Sequence, residues 1–273
     1  MKRLIASLVH AVDGLMPRAR LGGRESSEAY ARWEYDVGRD ILARHERRLG
    51  GLKGKRVLDI GCGLGGKTVA YAEVGARVTG VDISEGNVAG ASRFARARGI
   101  DASFVAGDAE RLPFADNTFD TIIANDSLEH FKDPESALRE LGRVVRPNGA
   151  IFLFFTPWTS PLGSHLYDYI HTPWCHLVFP EWLIEDLLER AAREKGKSDP
   201  KNEAARLMNE FHVELNRITV RRYRRIVAGI PDLEVVFERR VAPKFKFLTS
   251  LARIPLAGEL FTGTVVGILR KTA

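Results

Sequence analysis

Three carboxylates stand where an apolar run gives way to a turn. Val57-Leu58-Asp59-Ile60 breaks into Gly61-Cys62-Gly63-Leu64-Gly65-Gly66, Arg77-Val78-Thr79-Gly80-Val81 ends at Asp82, and the run 102–106 leads into Gly107-Asp108-Ala109. Clustered glycines free the backbone and let it approach a ligand closely, and the helix expected over 67–74 offers unpaired N–H groups at its start. Strand, glycine turn and helix in that order place a nucleotide-type ligand at the carboxyl end of a parallel sheet. Gly61, Gly63 and Gly66 also satisfy G-x-G-x-x-G, so a dinucleotide coenzyme has to be weighed. Asp59 argues against it, because its charge would lie beside a pyrophosphate. A ligand whose near end is cationic suits that place, and S-adenosylmethionine (SAM) carries a sulfonium and an ammonium group and no phosphate. Asp82, about 20 residues beyond the glycines, can accept from two ribose hydroxyls, a feature that both kinds of coenzyme share.

A second set of residues offers proton chemistry. His165, Asp168, His171 and His176 fall in a segment rich in Pro, Trp and Tyr at 157–179, and His130 follows the fourth expected strand. Displacement at a sulfonium starts with a good leaving group, so a protein has mainly to position the acceptor and, for a hydroxyl, to remove its proton. Histidine titrates near neutral pH and suits that task. His171 is the leading candidate base, His165 the next, and Asp168 the acid that would orient one of them. The competing reading makes these histidines hydrogen-bonded structural groups. The spacing H-x5-H-x4-H lacks a clear fourth ligand, so no metal is expected.

Five ordered motifs carry a resemblance: VLDIGCGLGG at 57–66, GVDIS at 80–84, GDAERLPFADNTFD at 107–120, LEHFKDP at 128–134 and LGRVVRPNGAIFLF at 141–154. Together they resemble the class I SAM-dependent methyltransferases, particularly the group that includes ubiquinone and menaquinone methyltransferases and small-molecule O-methyltransferases. The resemblance covers roughly residues 52–156. It implies that Asp59 and the main chain of Gly61, Cys62 and Gly63 surround the methionine part of SAM, that Asp82 holds the ribose, and that Ile83 lies against the adenine. It further implies that Asp108, helped by the Ala109 main chain, accepts from the adenine amino group, that Asn125 contacts the cofactor, and that His130 lines its pocket. Each acid taken singly can also be read as a strand-end or helix-capping group.

The elements that must position these groups alternate: strands over 55–60, 77–82, 102–106, 119–125 and 149–155, helices over 65–74, 85–98 and 134–145. The fold class expected is α/β, a doubly wound, mostly parallel sheet of the Rossmann-like class I methyltransferase type. Runs at 233–239 and 264–269 would supply an antiparallel edge, and Pro147-Asn148-Gly149 the turn before the fifth strand. The connection 157–230 is long enough to have its own structure, with helices near 181–194, 200–215 and 219–228, and reads as a helical cap insertion for substrate recognition. Residues 1–50 read as an N-terminal helical lid segment ahead of a methyltransferase domain over 51–273. In that lid a turn at Gly22-Gly23-Arg24 and a cap at Ser26 or Ser27 precede a helix over 28–49 bearing Tyr30, Trp33 and Tyr35. Apolar residues at 4, 5, 8, 12, 15 and 16 mark one side of an earlier helix, expected to pack on the core, with contact to a membrane surface as the alternative.

The chain has 273 residues, 45% of them hydrophobic, which suits one domain with insertions. With only two cysteines neither a disulfide framework nor a structural zinc cluster is indicated, and a reducing cytoplasm is the plain expectation. His10 and Asp13 interrupt the first apolar stretch, against a signal peptide, and no apolar run reaches the ~20 residues that cross a bilayer. The expected function is methyl transfer from SAM to a small molecule, with O-methylation of a hydroxylated lipid, polyketide, quinone or glycoside acceptor leading and carbon methylation of a quinone-like ring using the same site. The net charge of +6 and the pI near 9.4 raise RNA as an alternative substrate. Nucleic acid is nevertheless not the expected partner: where amino-directed nucleic-acid enzymes carry Asn- or Asp-Pro-Pro-aromatic, this chain reads Asn125-Asp126-Ser127-Leu128. A cofactor-binding protein without turnover is the third reading. The sequence leaves the oligomeric state open.

Overall fold

The computed structural model describes residues 1–16, 26–242 and 258–272. The chain divides into two compact units: a sheet unit of Gly22–Phe155, Arg221–Arg239 and Val266–Ala273, and a cap unit of Met1–Leu21, Thr156–Val220 and Arg240–Val265.

The sheet has seven strands: β1 (Arg56–Ile60), β2 (Arg77–Asp82), β3 (Ser103–Ala106), β4 (Phe119–Asn125), β5 (Val145–Phe155), β6 (Leu233–Val241) and β7 (Thr264–Lys271). Their order is β3-β2-β1-β4-β5-β7-β6. The first five pair in parallel, with Asp59 opposite Gly80 on one side and Ile123 on the other. Gly263 donates to Val241 and Thr272 to Asp232, so residue numbers rise along β7 as they fall along β6 and the pair is antiparallel, as the sequence led us to expect. The strand order reverses between β1 and β4, which opens a crevice beyond their carboxyl ends. Four of the five β1 residues are buried, as befits a strand covered on both faces.

Helices α3 (Gly66–Glu73), α4 (Glu85–Ala97) and α5 (Pro134–Val144) begin and end within about two residues of the spans read from the sequence. Caps account for two of these starts: Ser84 accepts from the Asn87 N–H at 3.3 Å, and Asp133 from that of Glu135 at 3.1 Å. α2 (Ser27–His45) starts at the Ser26 cap, whose hydroxyl accepts from Ala29 at 3.1 Å, and it belongs to the sheet unit. α1 (Lys2–Asp13) belongs to the cap unit, so the first 50 residues are divided between the two units. The expected Gly22-Gly23-Arg24 turn lies outside the described residues.

Two other expectations are corrected. Pro147-Asn148-Gly149 does not precede the fifth strand but lies within it. The β4–β5 register runs from Phe119↔Val145 to Thr121↔Ala150, so 146–149 bulge out, with Asn148 in the left-handed region at φ 62°. Proline cannot donate to a ladder, and a bulge is where a strand tolerates it. The helix expected over 200–215 ends as α8 (Pro200–Asn209) and continues as a π-helical turn, Glu210–Glu214.

In the cap unit, α6 (Cys175–Val178) and α7 (Glu181–Glu194) precede α8. α7 buries Leu183, Ile184, Leu187 and Leu188 against Leu207, Met208 and Phe211. This is the apolar face of an amphipathic helix meeting its like. α1 joins that core through Ala6 and Val9. Its more apolar side does not pack as expected: Leu4, Leu8 and Val12 are 66%, 61% and 51% exposed. No helix among the described residues is long and apolar enough to cross a membrane. α9 (Val220–Ala228) leads back to the sheet.

Candidate active site

The glycine turn after β1 is built for close approach by protein as much as by ligand. Gly61, Gly63 and Gly65 have φ of 70°, 56° and 81°, a region that side chains enter at a cost. A Cβ on Gly61 would stand 2.6 Å from that of Ser127, and one on Gly66 only 2.0 Å from the Ala31 carbonyl of α2. Gly66, the last glycine of the dinucleotide-like pattern, therefore serves helix packing. The Cys62 thiol is buried behind Gly80 and its pKa is raised, chiefly by burial, so it is an inert wall.

Asp82 ties this turn to β2. It accepts from the Gly63 N–H at 2.9 Å through one oxygen, and from the Ser84 N–H and the Asn87 amide at 2.9 and 3.1 Å through the other. Beside it Ile83 is 77% exposed, an open apolar surface at the strand end. Asp108, after β3, accepts from the Glu110 N–H at 2.9 Å, and Ala109 is buried. His130 closes the 3-10 turn Leu128–His130 after β4 and is exposed.

Asp59 is fully buried. One oxygen accepts from the Thr68 hydroxyl at 2.6 Å, while the other has no hydrogen-bond partner. Burial pushes its pKa up to about 6, against the pull of Lys67. Asn125 is placed similarly at the end of β4: its side-chain nitrogen donates to Asp126 at 2.8 Å and its buried side-chain oxygen Oδ1 is unpartnered. Asp126 keeps solvent contact, and the protein crowded around it still raises its carboxyl against the pull of Lys67 and His130.

Two residues that the sequence reading passed over complete this cluster. Glu34 reaches from α2 into the turn and accepts from the N–H groups of Leu64 at 3.1 Å and Gly66 at 3.4 Å, so it takes the anion place at the start of α3. It is 2% exposed, and burial pushes its pKa up to about 7, with Lys67 pulling it down. Lys67 is itself buried, 3.7 Å from Glu34 Oε1 and 3.4 Å from the Asn125 carbonyl. Burial works to lower its pKa, and Glu34, Asp59 and Asp126 outweigh that and hold it above the ordinary lysine range. A signal for Lys67 was present in the sequence, since a cation in the first turn of a helix opposes the macrodipole and needs another reason to be there. Glu34 offered only its place among the small residues Ala31 and Gly38, which mark a closely packed helix face.

The structure thus brings Asp59, Gly61, Cys62, Gly63, Asp82, Ile83 and Asn125 to the carboxyl ends of β1, β2 and β4, with Asp108, Ala109 and His130 on the segments following β3 and β4. These residues fit SAM. A buried carboxylate oxygen and a buried amide oxygen without donors are costly alone and suit an arriving ammonium group. The surplus of acid over base suits a cation, and the exposed Ile83 suits a flat apolar ring.

His165, Asp168 and His171 are in the cap unit. His165 has φ 57°, and Asp168 lies in the turn 167–169. The His171 ring nitrogen Nδ1 is 3.2 Å from the Tyr167 carbonyl. A carbonyl only accepts, so Nδ1 carries the proton in that bond and Nε2 is the basic atom. The acid set against the His171 main chain is Asp13 of α1, another residue that the sequence reading did not single out. Its Oδ1 accepts from the His171 N–H at 2.9 Å and from the Thr172 N–H and hydroxyl at 2.7 and 2.6 Å. His176 is structural: Nε2 donates to the Trp158 carbonyl at 2.7 Å, and burial lowers its pKa.

Comparison with known proteins agrees with this geometry. Residues 58–153 match the methyltransferase domain family. The chain is 35% identical over 175 residues to a demethylmenaquinone methyltransferase of Beutenbergia cavernae, covering 59% of this chain and 71% of that one. It is 34% identical over 157 residues to a ubiquinone biosynthesis O-methyltransferase of Azorhizobium caulinodans, covering 50% and 62%. The chain spans about three-fifths to seven-tenths of the length of such curated relatives. A geranyl diphosphate methyltransferase solved in complex with SAM shares the fold, with a TM-score of 0.57 at 20% identity over 89% of this chain and 88% of that one. The acid-lined crevice, the glycine turn that closes on helix α2 rather than on a phosphate, and the extent of these matches lead to one conclusion: the chain belongs to the class I S-adenosylmethionine-dependent methyltransferases.

Proposed function

We propose that this chain transfers a methyl group from SAM to a hydroxyl oxygen of a small acceptor with an apolar body, of quinone, polyketide, glycoside or other lipid type. The observation that carries the reading is the crevice at the β1/β4 reversal, where Asp59 and Asn125 keep unpartnered buried oxygens in acidic surroundings. Bound there, SAM supplies a methyl carbon on a sulfonium, with a neutral thioether as leaving group.

The chain's own residues do the rest. Asp59, Asn125 and the main chain of Gly61, Cys62 and Gly63 hold the amino-acid end, Asp82 the ribose, Asp108 and Ala109 the adenine edge, and Ile83 its face, with His130 on the wall. His171 takes the acceptor's proton at Nε2, the Tyr167 carbonyl holding its other nitrogen. His165 is the second base in this reading, and Asp168 an orienting acid. The names of the two curated relatives favour a quinone-type acceptor, and carbon methylation of such a ring would use the same crevice, with the displaced ring proton leaving to a base. The exposed apolar face of α1 favours a membrane surface as the place where such an acceptor is met.

Methyl-labelled SAM tests this directly, with a hydroxylated quinone precursor, RNA and a lipid extract offered in parallel. Label in a small apolar product is expected; label in RNA, or none despite cofactor binding, would sink the proposal. In His171→Ala, kcat for a hydroxyl acceptor should fall about 100-fold or more while cofactor affinity holds. Unchanged turnover removes His171 from the mechanism.

A further inference from the structure

α1 turns its less apolar side to the protein. Ala6, Val9, His10 and Asp13 recur at helical spacing on the side that meets the cap, and each is accounted for there. Ala6 and Val9 join the apolar core, His10 Nε2 lies 2.8 Å from Glu194 Oε1, and Asp13 holds three donors of His171 and Thr172. Leu4, Leu8 and Val12 recur on the other side with Met1 and Ile5 beside them, and all five are exposed, as is Leu15 just past the helix end. Six of the fourteen large apolar side chains exposed among the described residues thus fall within the first fifteen positions. A stripe this concentrated, on a helix already anchored by its opposite side, is a surface that meets something apolar.

The charges say what that is. Lys2 and Arg3 occupy the first turn of α1, where the helix dipole disfavours cations, and no acid stands in that turn to offset them. By sequence Arg18, Arg20 and Arg24 follow, so residues 1–24 carry five basic residues against a single acid. That acid is Asp13, buried and already engaged. A second copy seated on the stripe would bring these cations against their own like. An anionic bilayer surface takes both features, its acyl boundary the leucines and its headgroups the lysine and arginine. A free helix of 12 residues would be marginal in water, whereas the cap core already holds α1 formed, so docking carries no ordering cost.

We infer that α1 docks on an anionic lipid bilayer, with Leu4, Leu8 and Val12 entering the acyl boundary and Lys2 and Arg3 meeting the headgroup phosphates. This rests on the membrane-surface part of the proposed function and gives that surface a sign. Neither SAM nor an acceptor is needed for it.

Co-sedimentation of the full chain with vesicles tests the docking, phosphatidylglycerol mixed into phosphatidylcholine being set against phosphatidylcholine alone. Binding to the anionic vesicles should be about 10-fold or more tighter, and should weaken as salt rises. Leu4→Ser combined with Leu8→Ser should weaken it by about 10-fold or more. Lys2→Ser combined with Arg3→Ser should cost about 10-fold on anionic vesicles and little on neutral ones. These four side chains are exposed, so the circular dichroism and the urea midpoint of both variants should match wild type. Absence of binding to anionic vesicles overturns the inference. So does a leucine variant that binds as wild type does, because the general positive charge would then hold the vesicle. A mass by light scattering that falls from dimer to monomer in the leucine variant makes a second copy the occupant, and a lowered urea midpoint makes it the chain itself; either result also overturns the inference. Methyl transfer to a small acceptor without vesicle binding would remove the docking and leave the proposed reaction standing.

Discussion

Two buried aspartates, one in each unit, are handled in opposite ways. In the cap unit, Asp13 gathers two main-chain N–H groups and a hydroxyl onto a single oxygen, all within 2.9 Å. In the sheet unit, Asp59 is fully buried, takes one hydroxyl, and leaves its other oxygen without a donor. The first arrangement stabilises a fold, because it satisfies the groups it covers. The second destabilises the free protein and is relieved only when something brings a donor. Burial and residue type are the same in the two cases. What separates the two is whether the protein itself completes the hydrogen bonds of the acid, and on that difference rests the proposed binding role of Asp59.

The sharpest way to break this comparison is Asp59→Asn. It removes the charge and keeps the shape, so affinity for S-adenosylhomocysteine, measured by calorimetry, should fall about 30- to 100-fold with unfolding stability unchanged or raised. A loss of stability with affinity intact would place Asp59 with Asp13. The reciprocal change, Asp13→Ala, strands three donors. It should cost about 2 kcal/mol in urea unfolding with little effect on cofactor affinity.

The smallest effect is a pH dependence. Glu34 and Asp59 have folded-state pKa values raised to about 7 and about 6, so each binds its proton more tightly in the folded than in the unfolded chain. Their contribution to stability is full below the ordinary carboxylate range, near pH 4, and is lost as pH climbs to about 7. Stability should therefore decline from pH 5 to pH 7.5, and Glu34→Gln should flatten that slope. An unaltered slope in the variant would show that Glu34 does not titrate in this window.

Much of the sheet was legible in the sequence because each parallel strand is a short apolar run bounded by a glycine or an acid. Asp59, Asp82 and Asp108 could be found for the same reason: strand ends are where a polar residue interrupts such a run. The bulge at 146–149 was not legible, since Pro-Asn-Gly reads equally as a turn before a strand and as an excursion within one. Nor was the outward apolar face of α1. Periodicity shows that a helix has two faces and does not say which of them meets the core.

Local order along the chain determined the α/β alternation, the glycine turn and the acids that follow each strand, because backbone freedom and the apolar period are properties of neighbours. Only the tertiary structure decided that Glu34 caps the turn from 30 residues away, that Lys67 lies buried beside Asn125, and that Asp13 holds the His171 main chain. These are pairings between residues far apart in sequence. Whether a polar atom finds its partner depends on distances and angles that no spacing along the chain encodes.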